Sequence, residues 1–238
     1  RGLWRGGGPR AAPAGGDEPT EAGDDTVGDL FVGRAKRAAR IRELLVALLS
    51  RMTKTYGFDP LKDVQVLTPM RRGPLGTESL NELLQIALNG GADPKRAGML
   101  FPGDKVMQLR NDYEREVFNG DLGLVRRVEG GITCVRVDGR EVKYAIDDLD
   151  ALTLAYCSTI HKVQGSEFPA VVVILHPSHH VLLSRALVYT AVTRAKKLVV
   201  LLGDPTAIAR AARNVESHES NSRLAARLRR ADQDRDDP

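Results

Sequence analysis

The 238-residue sequence predicts an α/β fold, a parallel sheet covered by helices on both faces, with an all-β domain inserted into it. Three observations predict it. Near-continuous apolar runs of strand length ("DVQVLTP", "AVVVIL", "LVVLLG") alternate with stretches of helical period, as strands buried on both faces require. Between Phe101 and Asp150 the texture changes to short β-type stretches separated by Gly, Asn and Asp, the pattern of a small antiparallel barrel. After that segment the alternation of strand and helix resumes.

Residues 1–26, rich in Gly, Pro, Ala and acid, bury too little to offset ordering and read as a disordered lead-in. "VGDLFVG" (27–33) supplies a short strand. From Arg34 to Met52, Ile41, Leu44, Leu45, Leu48, Leu49 and Met52 fall on one helical face. "DVQVLTP" (63–69) is a buried strand stopped by Pro69, and "ESLNELLQIALNGG" (78–91) a helix with glycine as its terminator. "KVMQLRND", "LGLVRRVEG", "ITCVRVDG" and "EVKYAID" are the strands of the insert. "LTLAYCSTI" (152–160) is then a single strand, "AVVVIL" (170–175) another, "SRALVYTAVTRAKK" (184–197) a helix and "LVVLLG" (198–203) a strand. Asp204 and Pro205 stand as N-cap and first residue of a helix over 205–214. The domains expected are thus 27–100 and 151–214 for the α/β unit, 101–150 for the barrel, and 215–238 for a charged C-terminal tail.

A hydrophobic content of 42%, a charged content of 28% and a net charge of +4 describe an ordinary globular chain whose mild basicity permits a nucleic-acid partner without demanding one. Cys134 and Cys157 lie far apart without metal-ligand spacing, which points to a reduced, cytoplasmic compartment and no zinc site. No apolar run approaches membrane-spanning length, so no membrane is expected. The opening at Arg1 rather than Met points to a fragment.

Ligands of open parallel sheets bind where strands end, and three polar stretches fall there: "TPMRRGPLGTES", "IHKVQGSEF" and the segment leading into "YTAVTRAKK". Each also has a plain reading, as a solvated turn, a strand exit and the positive last turn of a helix. "HPSHH" (176–180) lacks a fourth ligand and is no metal site, and "DEPT" (17–20), with no apolar strand before it, is no metal-holding acidic motif.

Together and in order, "QVLTPMRRGPLG", "STIHKVQGSEF" and "LVYTAVTRAKK" resemble motifs IV, V and VI of superfamily 1 DNA helicases of the RecD-like branch, over roughly Asp29 to Asn214. The resemblance implies a RecA-like motor domain, named 2A in these enzymes, with an inserted Src-homology-3-like barrel, named 2B, opened by "VMQLRNDYEREVFNGDLG". It implies Arg194 as arginine finger and Arg72, rather than Arg71, as a second phosphate sensor. Planar guanidinium suits a departing phosphoryl group. It further implies that Glu167 accepts from the ribose hydroxyl, that Gln164 couples nucleotide to DNA, that Gly165 allows close backbone approach, and that Thr159, His161 and Lys162 meet single-stranded DNA. Tyr189 belongs either near that site or in the core, and Arg110, Arg126, Arg127 and Arg136 of the barrel either touch DNA backbone or are merely solvated.

No G-x-x-x-x-G-K-[ST] occurs, and no credible acidic metal-holding strand. ATP with Mg2+ would therefore be held mainly by an upstream motor domain, in cis or on a separate chain, and this chain alone would be inactive. The expected activity is the C-terminal half of an ATP-dependent helicase, moving 5′→3′ on single-stranded or duplex-junction DNA. The alternative is a helicase-derived nucleic-acid-binding or interaction module without ATPase activity.

Overall fold

The computed structural model describes residues 29–90, 93, 95 and 98–214. The expected lead-in over 1–26 and tail over 215–238 lie outside the described residues. The elements are β1 (Asp29–Arg34), α1 (Ala38–Tyr56), β2 (Val64–Thr68), α2 (Thr77–Leu88), β3 (Lys105–Gln108), β4 (Leu122–Glu129), β5 (Ile132–Val137), β6 (Arg140–Ala145), β7 (Leu152–Leu154), β8 (Cys157–Thr159), β9 (Phe168–Leu175), α3 (Arg185–Val192), β10 (Ala195–Gly203) and α4 (Pro205–Arg213).

Two five-stranded sheets result. The first runs β1-β10-β9-β2-β8 and is parallel throughout; the second runs β6-β5-β4-β3-β7 and is antiparallel. Alternation along the strands divides the parallel sheet's side chains between two faces. Val64, Val66, Ala170, Val172, Ile174, Leu198, Val200 and Leu202 pack under α1 and α2, whose buried residues include Ile41, Leu45, Leu49, Leu80 and Leu84. Leu67, Val171, Val173, Val199 and Leu201 face α3, α4 and the turn holding Ile160 and Val163. The antiparallel sheet surrounds its own core of Val106, Val117, Val125, Val135, Val137, Val142, Tyr144 and Leu152. Among the described residues no helix is long and apolar enough to cross a membrane.

Three expectations are corrected. The single strand over 152–160 is two strands in different sheets. β7 pairs with β3 of the insert, the chain turns at Ala155–Tyr156, and β8 pairs with β2. Backbone groups of that turn find buried partners: Gln65 Nε2 donates to Ala155 O, and Asn81 donates to Leu154 O and Cys157 O while accepting from Cys157 N.

The helix over 184–197 stops at Val192. Thr193 Oγ1 donates to the Tyr189 and Thr190 carbonyls and Arg194 Nε to that of Thr190, and Phe168 N donates to Arg194 O, so β10 begins at Ala195, three residues early. α2 ends at Leu88 on Asn89 in extended conformation rather than on a left-handed glycine, because Asn89 Nδ2 is drawn to Pro102 O and Asp104 Oδ1.

Asp204 caps α4 as expected, its carboxylate accepting from Thr206 N at 2.7 Å ahead of Pro205.

Candidate nucleotide and nucleic-acid faces

In a sheet whose strands all run one way, the residues just before and just after the strands lie at opposite ends. Glu167 precedes β9 and Arg194 precedes β10, so both lie at the amino end. Arg194 is half-buried; its Nη1 donates to Ser166 O at 3.3 Å and its Nη2 to Thr193 Oγ1 at 3.3 Å. Beside it Lys196 Nζ pairs with Glu167 Oε2 at 3.1 Å, with both side chains more than half exposed. The segment Ser166–Glu167 is thus held by two cations from the start of β10. Lys196 carries no signal of its own in the sequence, where it reads as one more positive charge in the last turn of a helix.

Thr159 ends β8 at the carboxyl end, followed by exposed His161 and Lys162. The crossover 160–167 runs from there down to the base of β9. At its lower turn, Gly165 has φ +90° with open space where a Cβ would stand. Its need for glycine is conformational rather than one of close approach. The close approach occurs at Gly76, where a Cβ would strike the carbonyls of Arg71 and Arg72. That contact lets the loop 69–76 fold back on the end of β2, fastened by Thr68 Oγ1 donating to Leu75 O at 2.7 Å.

Arg72 is therefore not where the resemblance put it. Thr68 lies level with the carboxyl end of β9 and Arg194 pairs at Phe168, so about six residues, or roughly 20 Å at 3.3 Å per residue, separate the two along the strands. Arg72 is exposed at the carboxyl end, while its neighbour Arg71 pairs with Glu78 at 2.9 Å. Arg71, Thr159 and Lys162 line a cavity of about 500 Å³ between the parallel sheet and the barrel, floored by Met107, Leu109, Leu152 and Leu154.

Barrel and parallel sheet are joined through buried polar groups that the sequence reading missed. Asn81 and Gln85, one ridge of α2, and Asn89, which ends it, are all buried. Asp104, fully buried, accepts from Gln85 Nε2, Asn89 Nδ2, Phe101 N and Tyr156 Oη at 2.6–2.7 Å. The phenol of Tyr156 is pushed well up by burial and by that carboxylate. Lys105, on the opposite side of β3, donates to Val64 O at 3.0 Å and lies over the Phe168 ring. Burial pushes its ammonium down to about 8, against attraction from Asp59 and Asp63.

Among the barrel arginines, Arg110 pairs with Asp150 and Arg127 with Glu141, while Arg126 and Arg136 are exposed. Tyr189 is 68% exposed on α3 and so is no core residue. In "HPSHH", His176 Nδ1 accepts from Ser178 N and its Nε2 reaches Lys36 O at 3.1 Å. His179 is buried, its Nε2 without a partner among the described residues; burial, with His176 adding to it, pushes the ring down to about 4. Among the described residues no three His, Cys, Asp or Glu side chains gather as a metal ion requires.

The family model described as UvrD-like helicase C-terminal domain matches residues 154–202, and that of the ATP-dependent RecD-like DNA helicase SH3 domain matches residues 80–138. The ATP-dependent RecD2 DNA helicase of Deinococcus radiodurans is 46% identical over 170 residues, covering 70% of this chain and 23% of that protein. The RecBCD enzyme subunit RecD of Mycolicibacterium smegmatis is 32% identical over 190 residues, 80% of this chain and 33% of that protein. Unliganded Pif1 from a Bacteroides species overlays at TM-score 0.43 with 18% identity, covering 84% of this chain and 55% of that one.

A parallel sheet that carries these three loops and an inserted SH3-like barrel defines the class, the C-terminal region of a superfamily 1 helicase. Within it, the chain belongs to the RecD-like branch. It spans a quarter to a third of the length of these two curated relatives.

Proposed function

We propose that this chain is the second motor domain, with its barrel, of an ATP-dependent DNA helicase working 5′→3′. One observation carries the reading. A single crossover, 160–167, joins an amino end where Arg194 and Glu167 lie side by side to a carboxyl end where Thr159 and Lys162 line an open cavity.

At the amino end, Arg194 extends a guanidinium toward the γ-phosphate of an ATP gripped, with Mg2+, mainly by an upstream P-loop domain. Glu167 leaves Lys196 to accept from the ribose hydroxyl. ATP supplies the free energy; this chain's part is to neutralise charge and to sense closure. At the carboxyl end, Thr159, His161 and Lys162 hold single-stranded DNA near a duplex junction. Gln164 and Gly165, at the lower turn of the crossover, pass a shift at one end to the other. With Arg72 on the carboxyl end, Arg194 acts alone as finger, and Arg72 belongs with the DNA contacts.

The test is DNA-stimulated ATPase activity. The isolated chain should show none, and a chain joined to a P-loop motor domain should turn over and lose that turnover in Arg194→Ala. Robust hydrolysis by the isolated chain would refute the half-motor reading. DNA binding with no hydrolysis even when so joined would favour a binding module instead.

A further inference from the structure

The two ends of the parallel sheet carry different charge. At the carboxyl end the chain leaves β1 through Arg34, Lys36 and Arg37, all exposed, and none makes an ion pair among the described residues. The first turn of α1 that follows has no acidic residue, and its N-cap, Arg37, makes no capping bond. Cations there oppose the helix dipole, which favours negative charge at that terminus, so they do not serve the helix.

The cluster is connected to the rest of the carboxyl end. Arg42 Nη1, one turn into α1, donates to Pro74 O at 3.0 Å and to Ser79 Oγ at 3.2 Å, fastening α1 to the loop that bears Arg72. His176, after β9, holds the Lys36 carbonyl. Glu82, exposed on the wall of the cavity, makes no ion pair among the described residues; the other acids on this edge are engaged or covered. Glu43 pairs with Arg40, Glu78 with Arg71, and Asp204 lies 6% exposed beneath Lys36 as the cap of α4.

We propose that the carboxyl edge is one phosphodiester track, running from Lys162 past Arg72 to the Arg34–Lys36–Arg37 cluster, and that single-stranded DNA leaves the motif V cavity along it. The proposal rests on the reading above that Thr159 to Lys162 meet DNA, and adds a second, remote anchor. Spacing supports a backbone ligand. From β8 to β1 there are four strand intervals, about 19 Å at 4.8 Å each. That distance holds about six phosphates at the 3.4 Å spacing of a stacked strand. Isolated cations facing a flexible polyanion give affinity without base readout, so the track is indifferent to sequence.

The experiment is fluorescence anisotropy with the 238-residue chain and labelled oligothymidylates of four and twenty nucleotides, over a salt series starting near about 50 mM. The triple variant Arg34→Ala/Lys36→Ala/Arg37→Ala should bind the long oligonucleotide about tenfold more weakly. Its slope of log affinity against log salt should fall by about 2, three contacts at about 0.7 each. Binding of the four-nucleotide probe, too short to span the edge, should not change. Lys162→Ala should weaken both probes.

A wild-type chain that binds neither probe overturns this track and the DNA arm of the proposed function together. If Lys162→Ala weakens binding while the triple variant matches wild type in affinity and slope, the track alone is overturned. Polyglutamate of matched charge displacing the long probe as well as unlabelled oligothymidylate does also overturns it, because the edge would then take an acidic polypeptide equally well.

Discussion

The amino and carboxyl ends of the parallel sheet are built in different ways. At the amino end each candidate residue has a fixed neighbour on the same short segment: Arg194 is bonded to the Ser166 carbonyl and Glu167 to Lys196. At the carboxyl end, Lys36, Arg37, Arg72, His161 and Lys162 are exposed on separate loops, and what holds them is the backbone beneath. A compact group with fixed neighbours suits a ligand met at one point, where bidentate geometry matters. Dispersed cations suit an extended polyanion met at many points. The difference also separates two arginines that sequence placed together, since the end of β2 that leads to Arg72 and the start of β9 where Arg194 pairs stand about 20 Å apart along the strands.

The largest effect should come from the amino end. In a chain joined to a P-loop domain, Arg194→Ala should lower ATP turnover by about 10³ to 10⁵ while leaving ATP binding largely intact. Arg72→Ala should leave turnover at saturating DNA within a few-fold of wild type, and comparable losses from both would erase the distinction between the ends.

The two ends should next answer to opposite sides of the pH scale. Lys105 reaches the amino end, and burial holds it at about 8 against an ordinary value near 10.5. Below pH 8 it is charged folded and unfolded, and the folded state bears the whole cost of burial. Between pH 8 and about 10.5 only the unfolded chain keeps the proton, so this residue's cost falls. Lys105→Met should therefore gain on wild type by up to about 3 kcal/mol at pH 7, with the gap closing toward pH 10.5.

His179, at the carboxyl end, is held at about 4. Above pH 6.5 it is neutral in both states. As pH falls from 6.5 to 4 the unfolded chain takes a proton that the folded chain refuses, and stability falls by about 3 kcal/mol in that window. Urea unfolding of wild type and His179→Phe across pH 4 to 7 checks this, and parallel curves would remove it.

Smaller effects follow in the elements that join or close the two ends. Gly165→Ala should cost about 1–2 kcal/mol through its positive φ, and in the joined chain should reduce coupling of ATP turnover to DNA. Asp204→Ala, removing the cap of α4, should cost about 1 kcal/mol. Urea denaturation measures both, and a Gly165→Ala variant that is fully stable and fully coupled would show the crossover to be passive.

Strand and helix content was legible because it depends on local pattern. The apolar runs of β2, β9 and β10 and the 3.6-residue stripe of α1 name their own elements, and Asp204–Pro205 names its cap. The identities of the three loops were legible too, since they lie in unbroken stretches of sequence.

What only tertiary structure decided was where those stretches stop and what they face. Chain direction at Leu154–Cys157 depends on whether β3 or β2 offers the unpaired edge, a choice made 50 to 90 residues away. The end of α3 depends on Phe168 needing a partner for its N–H. The joint of Asn81, Gln85, Asn89, Asp104 and Lys105 is invisible locally because each residue is polar and would read as surface; burial makes them a hub only when three separate elements converge. Arg72 and Arg194 show the same limit. Sequence by itself determined that both arginines are present in loops of the right kind, while the common direction of the strands between them decided that they lie at opposite ends.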